Sequence, residues 1–348
     1  MRINTCCLLL WFVPAIAFAG EPAPAVIEVG SKFAAADTLV CSDESGEDAK
    51  ACLANLAWPV AKFTVQLEAA APGCGDYLVR FPSPRPIGNT TNDLVSMEWY
   101  AARDAESAIR KTPAVVVVHE SGNRMTVGRM IARSLSAQGL HAFLVHLPGY
   151  GARRVEGVAD SDRVLPSLRQ AIDDVRRARD AVVALPVVDG SNVGVQGTSL
   201  GGFVTATVAG LDRGYDRVFI LLAGGNLEDV VLHGAKDAAK VRAKLVAAGK
   251  SEAQIKELAH EVEPLRLAHR MRPAGTWLFT GQFDQVVPAR CSLALATAAH
   301  LPQDHHLEYP ADHYSAAIYL PQVVQQIARQ MRTPPEAQRA SEVLHAAP

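Results

Sequence analysis

The chain has no surplus of positive charge to offer an acidic polymer. Lys and Arg number 34 against 36 Asp and Glu, a formal net charge of −2, so nucleic acid is not expected as a partner. Cysteine is scarce, six in 348 residues, which excludes a disulfide-dense scaffold; a chain of this length buries an ample core without one. Long hydrophobic runs are missing as well. Beyond the N-terminal segment no apolar stretch approaches 18 residues without charges or turn formers, and this argues against stable membrane insertion of the body of the chain. At 49% hydrophobic and 20% charged, the composition excludes disorder of the whole chain and describes one large globular domain or two small ones.

The N-terminal segment reads as a leader. Arg2 supplies a short positive region, Cys7 to Phe18 is apolar, and Ala17-Phe18-Ala19 fits a small-x-small cleavage site followed by Gly20. Residues 1–19 are therefore expected to be a cleaved signal peptide, placing the mature protein in the periplasm or outside the cell. Cleavage removes Cys6 and Cys7 and leaves Cys41, Cys52, Cys74 and Cys291. In an oxidising compartment these could pair. Cys41 with Cys52, which share one loop-like segment, and Cys74 with Cys291 form the favoured pairing; four free thiols are the alternative.

Residues 20–55 carry Ala, Pro, Ser and acidic residues without a clear period and read as irregular. Three runs between 58 and 101, FTVQLEA, DYLVRF and LVSMEWY, have strand composition with Pro and Gly between them. Residues 20–90 are thus expected to form a β-rich extension packed on a main domain at 91–332. From 113 onward strands and helices alternate. AVVVV at 114–118 is a continuous apolar run, as in a strand buried on both faces. Further strands are read at 141–147, 192–198, 217–223, 276–282 and 306–310. Helices are read at 126–138, 161–184, from 199, from 288 and over 314–332. The long helix carries Leu165, Leu168, Ile172, Val175, Ala178 and Val182 at three- and four-residue steps. The pattern predicts an α/β fold: a mostly parallel central sheet with helices on both faces and antiparallel strands added at the N-terminal edge. Residues 226–272 break the alternation with an Ala-rich, charged helical insertion, a lid or an extended crossover. Residues 333–348 are polar and are expected to be a mobile tail.

The chemistry concentrates in Gly197-Thr198-Ser199-Leu200-Gly201, a G-x-S-x-G pattern between a buried strand and a helix. A serine on such a sharp turn lifts its hydroxyl above the sheet edge, and glycine two residues either side leaves room for the turn. The N–H of Leu200, at the helix start, faces the place where an oxyanion would develop. A serine nucleophile needs a base. His313, just past the last short strand in PADHYS, is the candidate, with His305 and His306 as weaker ones at the strand's other end. Asp284, at the end of TWLFTGQ in FDQVVP, is the candidate carboxylate to orient the base; Asp312 is the weaker one. The loop His119-Glu120-Ser121-Gly122-Asn123 after AVVVV supplies a second oxyanion donor, assigned to the N–H of Ser121 with Glu120 possible. His119 and Glu120 themselves read as loop-shaping residues, and no metal-ligand spacing is present.

With GTSLGG at 197–202, GQFDQVVP at 281–288, ADHYS at 311–315 and HESGN at 119–123, the sequence resembles the α/β-hydrolase family, in a serine-esterase or dienelactone-hydrolase-like branch. The resemblance covers roughly residues 90–332. It implies a Ser-His-Asp hydrolase without a cofactor, with Ser199 as nucleophile, Asp284 as acid, His313 as base and the amides of Ser121 and Leu200 as oxyanion hole. HESG departs from the more usual His-Gly start of that loop. The expected substrate is a small-molecule carboxylic ester. A serine peptidase or an acyltransferase on the same fold, or a binding protein on a hydrolase scaffold, are the competing readings.

Overall fold

The computed structural model describes residues 27–155 and 164–333. The expected signal segment and the expected tail beyond Thr333 lie outside the described residues.

The chain enters through β1 (Lys32–Ala36), α1 (Glu47–Leu56), β2 (Lys62–Ala69), β3 (Tyr77–Pro82) and β4 (Leu94–Tyr100). Then come β5 (Thr112–Val118), α2 (Thr126–Ala137), β6 (His141–His146), α3 (Val164–Val183), β7 (Val188–Thr198), α4 (Leu200–Asp212) and β8 (Arg217–Leu221). Three helices follow, α5 (Leu227–His233), α6 (Asp237–Ala247) and α7 (Glu252–Glu261). The chain closes with β9 (Thr276–Gly281), α8 (Ala289–Ala298), β10 (His306–Tyr309) and α9 (Leu320–Arg332).

All ten strands make one sheet in the order β1-β2-β3-β4-β6-β5-β7-β8-β9-β10. From β6 to β10 neighbours run parallel, while β1 to β4 and the β4–β6 pair are antiparallel. The order reverses at β5: the chain leaves it toward β6 on one side and returns to β7 on the other. The crevice beyond the carboxyl ends of β5 and β7 is where an open α/β sheet binds ligands.

β5 shows why an uninterrupted valine run belongs there. Val116 and Val118 pack on the face covered by α1, α3, α4 and α8, and Val115 and Val117 on the face covered by α2 and α9. Each fully buried valine contributes on the order of 1.5–3 kcal/mol of apolar transfer, and a polar residue at any of the four positions would meet a dry layer.

Three expectations are corrected. Residues 20–55 are not wholly irregular, because β1 extends the sheet and α1 buries Ala49, Cys52, Leu53 and Leu56 at helical spacing. The last helix begins at Leu320, after a tight 3-10 turn over Ser315–Tyr319. Neither favoured disulfide forms, and all four cysteines are free. Cys74 sits by Glu98 and Arg129 near β4, whereas Cys291 sits by Asp229 and Arg290 on α8, at the far side of the sheet.

The polar side of α3 is also unlike a solvated helix face. Asp173, Asp174, Arg176, Arg177 and Asp180 are all at most 4% exposed. Their partners are Asp37 to Arg177 (2.5 Å), Thr38 Oγ1 to Asp180 (2.6 Å), Ser83 Oγ to Asp174 (2.5 Å) and Asp212 to Arg176 (2.7 Å). Asp37, Thr38 and Ser83 thus cover α3 from the N-terminal segment while Asp212 at the end of α4 pairs Arg176, and removing one partner of such a buried ion pair costs about 3–5 kcal/mol.

Candidate active site

Ser199 stands between β7 and α4 with φ 53° and ψ −114°, a conformation that strains any residue with a side chain. Its N–H is held by the carbonyl of Leu221 at 2.8 Å. The turn is possible because of its glycines. A Cβ on Gly197 would stand 2.2 Å from the Gly201 carbonyl oxygen, and one on Gly201 would stand 2.2 Å from that of Val118. Both collisions are with backbone, which cannot swing aside. α4 therefore runs closely against β5, with the Gly201 N–H donating to the His119 carbonyl at 3.1 Å, and the N–H of Leu200, the first of the helix, opens at the sheet edge.

Two neighbouring strand ends deliver the other groups. Past β9 and β10 the chains stay joined through Gln282 N–H to the Tyr309 carbonyl (2.8 Å) and Phe283 N–H to that of Ala311 (3.0 Å). This clasp puts Asp284 beside His313: Nδ1 of His313 lies 2.6 Å from Oδ2 of Asp284, and its Nε2 lies 3.0 Å from Oγ of Ser199. The other oxygen of Asp284, Oδ1, accepts from the N–H groups of Val286 (2.8 Å) and Val287 (2.9 Å). The Asp284 side chain is almost fully buried and that of His313 nearly so. Three residues spread over more than a hundred positions thus form one hydrogen-bonded row, in which Nδ1 donates to the carboxylate and Nε2 faces the hydroxyl as an acceptor.

The other histidine and aspartate candidates are held elsewhere. His305 Nδ1 bonds the carbonyls of Pro273 and Thr276 at the start of β9, and His306 bonds Thr280. Asp312 closes its own turn, accepting from the N–H groups of Tyr314 and Ser315. Those bonds hold its carboxyl down at about 2.

The loop after β5 is built from within. His119 is fully buried between the Glu120 carbonyl, 2.5 Å from Nδ1, and the N–H of Leu147, 3.2 Å from Nε2. Burial pushes its pKa down to about 3, so it stays neutral. Glu120 accepts from the N–H groups of Val127 (3.0 Å) and Gly128 (3.1 Å), capping α2 where no residue of the usual capping position does so. Between these anchors Ser121 is exposed to the cleft. Among the described residues the N–H groups of Ser121 and Leu200 have no protein partner.

Two cavities meet at Ser199. The smaller, about 320 Å³, is lined by His313 with Phe279, Tyr309, Tyr314 and Tyr319. The larger, about 750 Å³, runs beneath α5, α6 and α7 and takes its wall from Val230, Leu245, Ile255 and Val262 together with Phe203 and Val287. Ser121, Ser199 and Asp237 line both. The helical insertion is pinned at its two ends by Glu263, whose carboxylate accepts from the N–H groups of Asn226 (3.0 Å), Leu227 (2.6 Å) and Leu265 (3.0 Å). At its centre Tyr314 donates to Asp237 at 2.9 Å, and Lys236 lies 4.6 Å from the Tyr314 ring. Burial and this bond to a carboxylate raise the Tyr314 phenol to about 12. Sequence reasoning missed Asp237 and Tyr314; adjacency to His313 was the one available signal for Tyr314, and none existed for Asp237. Among the described residues no group of three or more His, Cys, Asp or Glu is arranged to hold a metal ion, and no helix is long and apolar enough to cross a membrane.

By sequence the chain matches no family model and no curated protein. Solved structures do match. An acetyl xylan esterase from Paenibacillus sp. R4 aligns with a TM-score of 0.58 at 16% identity, over 83% of this chain and 96% of that one. Acetyl xylan esterase 1 from Thermoanaerobacterium sp. JW/SL YS485 aligns with a TM-score of 0.58 at 17% identity, over 85% and 97%. A puromycin-hydrolyzing peptidase of Mycobacterium tuberculosis aligns at 0.56 and 17% identity over 77% of this chain, which spans only 45% of the peptidase. Taken with the strand order and the strand-turn-helix at Ser199, these likenesses establish that the chain has the α/β-hydrolase fold.

Proposed function

We propose that the protein is a serine hydrolase that cleaves carboxylic esters and is exported by way of residues 1–19. The observation that carries this reading is the row from Ser199 Oγ through His313 to Asp284, set on a strained turn at the open edge of the sheet. In the proposed reaction Nε2 of His313 takes the proton of Ser199 as Oγ attacks the ester carbonyl. Asp284 holds the imidazole in the tautomer that accepts this proton and stabilises the imidazolium that results. The N–H groups of Ser121 and Leu200 receive the oxyanion, a contribution of about 3–4 kcal/mol for one such donor. His313 returns the proton to the departing alcohol, and water then releases the acid from Ser199. The helices α5, α6 and α7 act as a lid over the larger cavity. The esters named for two structural neighbours, acetyl xylan esterases, support ester cleavage as the reaction class.

Ser199→Ala tests the reading. It should abolish turnover of p-nitrophenyl acetate and labelling by a fluorophosphonate, with the melting curve unchanged. Turnover retained by a folded Ser199→Ala protein refutes it.

A further inference from the structure

The two cavities differ in which catalytic group they contain, and this orients the substrate. His313 lines the smaller cavity and is not part of the larger, whereas Leu200, one of the two oxyanion donors, lines the larger. In acyl transfer the bond from Oγ of Ser199 to the carbonyl carbon forms and the bond from that carbon to the alkoxy oxygen breaks. The proton taken from Ser199 leaves with that alkoxy oxygen, which must lie within hydrogen-bond reach of Nε2 of His313. The alcohol part therefore projects into the tyrosine-lined cavity. The acyl chain, on the other side of the carbonyl carbon, projects beneath α5, α6 and α7.

We infer, on the basis of the serine-hydrolase reading, that the natural substrate is an ester of a medium- or long-chain apolar acid with a compact alcohol. The larger cavity is in the size range that encloses a drug-sized ligand. Its deep wall is aliphatic: Val230, Leu245, Ile255, Ala259 and Val262 are all buried. The cationic residues on its lining, Arg154 and Lys244, are exposed. The Asp237 carboxylate, shared by both cavities, is occupied by Lys240 and Tyr314. The deep aliphatic wall thus presents no charged group to a second carboxylate. The smaller cavity, less than half the volume, is walled by aromatic rings that suit one flat or short group.

The acyl series from acetate to octanoate, presented as p-nitrophenyl esters to the full chain, tests this. kcat/KM should rise about fourfold per added methylene, the ~0.8 kcal/mol of a buried CH2, until the cavity is filled. Val241 lies on α6, lines the larger cavity and is 40% exposed, so a larger side chain fits without disturbing the core. Val241→Trp should lower the octanoate-to-acetate ratio of kcat/KM about tenfold or more. Ala317→Trp, on the wall of the smaller cavity, should instead lower the ratio of p-nitrophenyl to methyl butyrate. Acetate as the preferred acyl group, or an exchange of the two variants' effects, overturns the inference while leaving the hydrolase reading intact. If no ester is cleaved and a fluorophosphonate leaves Ser199 unlabelled, the hydrolase reading itself has failed, and the inference with it.

Discussion

Asp284→Asn isolates the tautomer argument, because the structure dictates how an asparagine must sit. Oδ1 of Asp284 receives two backbone N–H groups, from Val286 and Val287, at 2.8 and 2.9 Å. An amide nitrogen there would face two donors, so the asparagine oxygen takes that place and its NH2 turns toward Nδ1 of His313, now about where Oδ2 stood at 2.6 Å. Nδ1 must then accept, and the ring proton moves to Nε2. That nitrogen lies 3.0 Å from Oγ of Ser199 and becomes a donor to it, unable to take its proton. The substitution is nearly isosteric and keeps both backbone bonds, so the fold should be retained. A triad with the wrong tautomer loses about 10⁴ in kcat, or ~5.5 kcal/mol of transition-state stabilisation. Steady-state turnover of p-nitrophenyl butyrate, with thermal melting as a control, measures it. A folded Asp284→Asn protein that keeps kcat within tenfold of the parent would refute the assigned role of Asp284.

Gly201→Ala should destabilise the protein by at least about 2 kcal/mol, measured by urea unfolding, because the new methyl meets the Val118 and His119 carbonyl oxygens at 2.2 and 2.6 Å; an unchanged midpoint would mean that α4 yields freely. Glu120→Ala should cost about 0.5–2 kcal/mol by removing the cap of α2. It should also lower kcat, by less than the ~10²–10³ of losing an oxyanion donor outright, since the loop bearing Ser121 loosens; parent-like stability and turnover would remove Glu120 from the account. Glu98 gives the pH dependence. Burial alone would raise its carboxyl, but bonds from His146, Arg129 and Tyr100 outweigh burial and hold it at about 2 against an ordinary 4.5. A depressed carboxyl stabilises the fold above its unfolded value and loses that contribution as pH falls from about 4.5 toward 2. The stability gap between the parent and Glu98→Gln should therefore narrow by up to about 3 kcal/mol as pH falls from about 4.5 toward 2, as followed by urea titration; a gap constant from pH 7 to 3 would contradict this.

The strand-helix alternation from β5 to α9 was legible because each buried strand there is a short apolar run and each helix a periodic one. The elements that escaped reading are those that long-range contacts hold in place. In β1, KFAAA alternates only between exposed and half-buried positions and gains its place by pairing with β2. α1 is acidic at its start and docks through Asp48 to Arg266 (2.8 Å), while the segment before it docks through Glu44 to Arg270 (3.1 Å). The spacing of α3 showed only its apolar stripe, and the burial of its charges follows from the packing of Asp37, Thr38 and Ser83 against them.

At the site, the serine turn was readable from Gly197, Ser199 and Gly201 alone, because these residues lie within one short stretch of sequence and only glycine tolerates the backbone contacts at 197 and 201. The positions of Asp284 and His313 at strand ends were readable from the alternation, since parallel strands present all their carboxyl ends on one edge. The capping of α2 by Glu120 and the hydrogen bond between Tyr314 and Asp237 were not readable. Neither were the sizes of the two cavities. Those depend on where loops and insertions separated by many tens of residues come to rest, and no local period or spacing encodes such distances. Local sequence places Ser199, Asp284 and His313 on their turn and strand ends; long-range packing sets how much space surrounds them and on which side of Ser199 it opens.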